Sequence, residues 1–99
     1  MPANRRYYFG RPHSRVFHLS VDGQPHKLLV TLKQPEDILS VDLDGAEILA
    51  RDLDRTKSYI HFPLAVGAAN LVLHVYQPHR PVLDLRAAPG ETRKNLVRR

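Results

Sequence analysis

Apolar and polar residues alternate with period two through the middle of the chain, the pattern of strands buried on one face. Phe17, Leu19 and Val21 alternate with His18 and Ser20. Leu28, Val30 and Leu32 follow in step, then Leu39, Val41 and Leu43, then Ala46, Ile48 and Ala50. Turn-forming residues separate the runs: Asp22-Gly23-Gln24-Pro25, Gln34-Pro35-Glu36-Asp37, and Asp44-Gly45, the strongest hairpin signal of the three. Loop length then predicts pairing. A two-residue Asp44-Gly45 loop sets Leu43 opposite Ala46, Val41 opposite Ile48 and Leu39 opposite Ala50. A four-residue loop at 34–37 sets Leu32 opposite Leu39 and Val30 opposite Val41. A four-residue loop at 22–25 sets Val21 opposite His26, Leu19 opposite Leu28 and Phe17 opposite Val30. All three turns agree on one continuous apolar face, and a slip of one residue at any of them would turn its strand inside out.

After Ala50 the parity slips, because Leu49 and Leu53 fall in step with Glu47 and Arg51, and this predicts a bulge or a strand end. Asp54-Arg55-Thr56-Lys57 reads as a loop. A second block places Ile60, Phe62 and Leu64 on one strand and Leu71, Leu73 and Val75 on the next. A Val66–Ala69 loop around Gly67 pairs Phe62 with Leu73 and Leu64 with Leu71. Pro63 has no N–H to donate, which assigns its strand to a sheet edge or a bulge. A last strand over 81–86 offers Leu83 and Leu85, and residues 92–98 read as at most one helical turn. About seven short strands at this spacing predict an all-β fold, a small antiparallel β-sandwich of two sheets packed face to face. The expected organisation is a basic aromatic arm over 1–14, a β-sandwich domain over 15–86 and a basic tail over 87–99.

Composition changes this picture little. Ninety-nine residues, 42% apolar and 25% charged, suit one folded domain. The chain has no cysteine, which removes disulfides, thiolate nucleophiles and Cys-type zinc sites. No apolar run reaches the ~18–20 residues of a membrane span. No apolar segment follows Met1, so the expectation is a protein without a signal peptide, cytoplasmic or otherwise intracellular. Charge is more informative, because the net +5 is concentrated at the ends. Residues 1–20 hold Arg5, Arg6, Arg11 and Arg15 and no acid, and residues 87–99 hold Arg93, Lys94, Arg98 and Arg99 against Glu91. In the stretch between, acids outnumber bases nine to seven. Basic ends favour encounter with polyanions.

Three segments, taken in order, carry a resemblance: Phe17-His18-Leu19-Ser20-Val21-Asp22-Gly23, then Ile38-Leu39-Ser40-Val41-Asp42-Leu43-Asp44-Gly45-Ala46-Glu47-Ile48, then His61-Phe62-Pro63-Leu64-Ala65-Val66-Gly67. Over about residues 15–85 the chain resembles one repeat of the Fas apoptotic inhibitory molecule family, which runs strand, Asp-Gly, strand, a second such hairpin, then a phenylalanine strand closing on Val-Gly or Ile-Gly. The resemblance implies a compact antiparallel β-sandwich acting as a non-catalytic interaction protein. Members of that family carry two such domains and tryptophans near strand starts; this chain has room for one domain and contains no tryptophan. Arg11-Pro12-His13-Ser14-Arg15 satisfies the Arg-x-x-x-Arg half of a PilZ cyclic-dinucleotide site, but the (Asp/Asn)-x-Ser-x-x-Gly half has no counterpart here.

Candidate chemistry lies in two places. The register that pairs Phe62 with Leu73 also sets His61 opposite His74 and Tyr59 opposite Tyr76, and a three-residue Pro78-His79-Arg80 loop brings Asp84 beside His74. Two histidines and a carboxylate are a possible zinc or iron ligand set, so His61, His74 and Asp84 are the metal candidates, against an ordinary polar strand face. Ser14, Ser20, Ser40 and Ser58 lie in no nucleophile-elbow motif, and Asp42-Leu43-Asp44-Gly45 lacks the further ligands of a calcium loop, so neither an enzyme nor a cofactor is expected. The second place is Arg5-Arg6-Tyr7-Tyr8-Phe9-Gly10-Arg11, which interleaves cations with aromatics. Its expected role is docking an acidic protein surface through Arg5, Arg6, Tyr7, Tyr8, Phe9 and Arg11. The alternative is RNA or single-stranded DNA bound by the same arm together with the C-terminal basic tail. Oligomeric state is not legible.

Overall fold

Among the described residues, period-two burial is met by eight strands. The computed structural model describes residues 13–33, 36–54, 56–76 and 82–98. The strands are β1 (His13–Val21), β2 (Gln24–Lys33), β3 (Ile38–Leu43), β4 (Ala46–Asp52), β5 (Tyr59–Val66), β6 (Ala69–Tyr76), β7 (Val82–Ala87) and β8 (Leu96–Arg98). They form a five-stranded sheet in the order β4-β3-β2-β1-β8 and a three-stranded sheet in the order β5-β6-β7. Every pairing is antiparallel. The architecture is the all-β two-sheet sandwich that the pattern predicts, and among the described residues no helix is long and apolar enough to cross a membrane.

The core is the inward set of alternating residues. Phe17, Leu19 and Val21 of β1, Leu28, Val30 and Leu32 of β2, and Leu39 and Val41 of β3 meet Leu64 and Val66 of β5, Leu71, Leu73 and Val75 of β6, and Leu83 and Leu85 of β7. Leu28, Val30, Leu32, Leu39, Val41, Leu73 and Val75 are completely buried.

Two registers differ from expectation. Asp22 and Gly23 both take positive φ, so they alone form the β1–β2 turn and Val21 pairs with Gln24 rather than His26. Leu19 therefore faces His26, and Phe17 faces Leu28. A slip of two leaves every face unchanged, which is why the core set survives. The β3–β4 hairpin starts as predicted, with Leu43 opposite Ala46 around Asp44-Gly45, but the register shifts between Val41 and Asp42. Val41 then pairs with Leu49 rather than Ile48, and Leu39 with Arg51 rather than Ala50. The bulge thus lies near Ile48, which is 41% exposed, and it turns Leu49 toward the core.

The sandwich protects its edges in distinct ways. Pro63 removes a donor from the outer strand β5. Strand β8 is only three residues long, and β4 carries the bulge. Strand β7 is capped by two arginines from the opposite sheet and by its own Asp84. Arg15 of β1 donates to the Leu83 carbonyl, Arg98 of β8 donates to the Leu85 carbonyl, and the Leu85 N–H reaches the Asp84 carboxylate at 3.0 Å. The Arg15 guanidinium also lies 4.7 Å from the Phe17 ring centroid.

The basic C-terminal segment forms a strand rather than a helical turn. Asp22 N–H donates to the Asn95 carbonyl at 3.1 Å, and Leu96 packs against the core. Glu91 accepts from the N–H groups of Asn70 (2.6 Å) and Arg93 (3.0 Å), which hold its carboxyl below the usual range. Arg93 in turn reaches Asp22 at 2.6 Å and the Ala68 carbonyl at 3.1 Å.

Candidate binding face on the three-stranded sheet

With Ile60, Phe62 and Leu64, Leu71, Leu73 and Val75, and Leu83 and Leu85 turned inward, the intervening residues of β5, β6 and β7 share the outer face. Register brings them into ranks: Tyr59 opposite Tyr76, His61 opposite His74, and His74 opposite Asp84, all as the loop lengths predict. Arg86 stands one rank further, opposite Val72.

Four rings form a connected cluster. Tyr59 and Tyr76 have centroids 5.0 Å apart, Tyr59 and His61 5.6 Å, Tyr59 and His74 5.7 Å, and His74 and Tyr76 6.1 Å. Interplanar angles run from 14° to 31°, so the rings are close to parallel. The Tyr59 hydroxyl and His74 Nδ1 are hydrogen-bonded at 2.6 Å. Tyr59 is 40% exposed, and His61 is also exposed.

Beside the rings lies a charged rim. Asp84 accepts from Arg86 Nε at 2.6 Å and from Arg98 Nη1 at 3.0 Å. These two guanidinium bonds bring its carboxyl down to about 2. The same bond with Asp84, and the charge behind it, raises the Arg86 pKa. Two arginines against one carboxylate leave the rim cationic. Arg86 and Arg98 also border a cleft of about 410 Å³ between β7 and β8, whose floor includes Leu19, Leu71 and Leu96.

The metal candidates are therefore neighbours with other commitments. His61, His74 and Asp84 lie side by side in register, but Asp84 is held by two arginines and His74 Nδ1 by Tyr59. Among the described residues, no group of three His, Asp or Glu side chains is arranged to hold a metal ion. Arg98 belongs to β8, so its contact with Asp84 is not visible in the pairing of β5, β6 and β7, whereas Arg86 holds the same carboxylate from two residues along β7. Tyr59 and Tyr76 are legible as a cross-strand pair and Arg98 as part of the basic C-terminal tail, whereas Arg86 carries no sequence signal as a site residue. The arm candidates Arg5, Arg6, Tyr7, Tyr8, Phe9 and Arg11 lie outside the described residues.

A second polar site is structural. Asp44 accepts from His26 Nδ1 at 2.7 Å and from Lys27 N–H at 2.8 Å, and its own N–H donates to the Lys27 carbonyl at 2.8 Å. The bond to His26, and then that to Lys27, lowers the Asp44 carboxyl. These bonds clamp the Asp44-Gly45 turn onto β2, which is a sufficient role for an aspartate that superficially resembled a calcium ligand.

The fold defines a small antiparallel β-sandwich with a ring-bearing outer face. The chain matches no family model, no curated protein sequence and no solved structure.

Proposed function

We propose that the protein is a non-catalytic binding module for an anionic macromolecule, which it engages through the outer face of β5–β7 together with the basic aromatic arm Arg5, Arg6, Tyr7, Tyr8, Phe9 and Arg11. The observation that carries this reading is the cluster of Tyr59, His61, His74 and Tyr76 beside Arg86 and Arg98. Tyrosine and arginine are the residue types that anchor interfaces, because each combines a large contact surface with polar reach. The acidic protein surface expected from the sequence is one partner of this kind, and nucleic acid is another. The resemblance of the Asp22-Gly23, Asp44-Gly45 and Val66-Gly67 segments to the Fas apoptotic inhibitory molecule family supports the non-catalytic part. All three segments fall at hairpin turns.

The test is binding of the full chain to a panel of polyanions, polyglutamate and single-stranded RNA among them, across a salt series. Binding to at least one that weakens steeply with salt, and weakens further in an Arg5→Ala, Arg6→Ala, Arg11→Ala variant, is the expected result. Failure to bind any polyanion at low salt overturns the reading.

A further inference from the structure

Resting on that reading, the chemistry of the sheet face narrows the partner. An acidic protein surface supplies carboxylates for Arg86 and Arg98 but no planar group for four near-parallel rings. A neutral sugar stacks on rings but leaves unmatched the excess positive charge of two guanidinium groups that share one carboxylate. A nucleotide supplies both: a flat base for the ring and a phosphate for the cation. The base must be unpaired, because the bases of a duplex stack on one another and present only their edges in the grooves.

The layout on the sheet suits a strand of a few nucleotides. Tyr59 and Tyr76 lie across two strands, and His61 and His74 form the next rank, two residues along. A small sheet with exposed aromatics on adjacent strands is known to accommodate two or three stacked bases. Cations flank the ring cluster. Arg86, 66% exposed, and Arg98, 46% exposed, share one carboxylate on the β7 side. Exposed Lys57 precedes Tyr59 by two residues on the β5 side. The Tyr59 hydroxyl and His74 Nδ1 bond each other, and the nitrogens of His61, the Tyr76 hydroxyl and the second nitrogen of His74 are polar atoms able to bond a hydroxyl lying between successive bases. That feature favours ribose over deoxyribose, since the 2′-hydroxyl both donates and accepts.

We infer that the outer face of β5–β7 binds single-stranded RNA, with bases stacking on Tyr59, Tyr76, His61 and His74 and phosphates meeting Arg86 and Arg98. The experiment is fluorescence anisotropy of a labelled short oligouridine with the full chain, compared with oligodeoxyuridine of equal length, a duplex RNA and polyglutamate. The variants are Tyr59→Ala, Tyr76→Ala and Arg86→Ala, with Arg51→Ala on β4 of the other sheet as the control. Tyr59 and Arg86 are exposed, so their truncation leaves the core intact, and circular dichroism verifies the fold of each variant. The expected result is RNA binding weakened about tenfold or more by Tyr59→Ala and by Arg86→Ala, unchanged in Arg51→Ala, and weaker for DNA and duplex. RNA binding that is indifferent to Tyr59→Ala and Tyr76→Ala overturns the inference, as does equal affinity for the deoxy oligomer. Binding of polyglutamate but not RNA overturns the inference while sparing the module reading. No binding of either polyanion overturns both.

Discussion

Asp84→Asn tests how the two sheets are held together at the β7 edge. The substitution keeps the shape of the side chain but removes the charge that Arg86 and Arg98 share. A carboxyl at about 2 in the folded chain against 3.8 when free corresponds to ~2.5 kcal/mol if fully realised. Both arginines are well exposed, at 66% and 46%, so solvent and salt screen most of it, and the expected loss is ~1 kcal/mol. For a domain of this size that lowers Tm by roughly 4–8 °C near neutral pH. The sign with pH follows from the depressed carboxyl. Its stabilisation is present above the ordinary aspartate range and is lost as pH falls from about 4 toward about 2. The asparagine variant has no such proton to take up. Thermal melts of both proteins through that pH window should therefore show a gap that closes on acidification and narrows with added salt. A gap that persists unchanged at the acid end would mean that packing, and not charge, carries the effect.

Other parts of the framework make separate predictions. Arg93→Ala removes the ion pair with Asp22 and the bond to the Ala68 carbonyl. It should cost ~1–2 kcal/mol in urea unfolding and speed amide exchange over Leu96–Arg98. Leu73→Ala empties a completely buried site between the sheets and should cost ~2–5 kcal/mol by the same assay. Gly45→Ala meets open space but a φ of +91°, so it should cost ~1–2 kcal/mol through backbone strain alone, with no change in near-ultraviolet circular dichroism.

Much of the architecture is legible from residue order because strand faces obey a period of two. The β2–β3 and β5–β6–β7 registers follow from turn positions, and with them the ranks Tyr59/Tyr76 and His61/His74/Asp84. The β1–β2 turn is shorter than its residues suggest: Gln24 and Pro25 look like loop residues, whereas Asp22 and Gly23 at positive φ close it alone. The parity of Leu49 and Leu53 signals a bulge, but the alternation of Ala46, Ile48 and Ala50 places it after Ala50, whereas the demand for Leu49 at the core sets it near Ile48. Strand β8 offers a single core-packed apolar residue, Leu96, over three positions, too little for periodicity to register. With β8 hidden, the reach of Arg98 from the basic tail to Asp84 is hidden too, while the second partner, Arg86, stands two residues along β7 itself. Three chemically suggestive residues can share a rank on a sheet and still be committed elsewhere by a strand that is distant in sequence.

The most direct measurement is a two-dimensional NMR titration of the isotope-labelled full chain with a short single-stranded RNA. The account predicts that the largest shift changes fall on Tyr59, His61, His74 and Tyr76, with the side-chain Nε of Arg86 moving in parallel. Shift changes confined to the five-stranded sheet, or no changes at low salt, would contradict it.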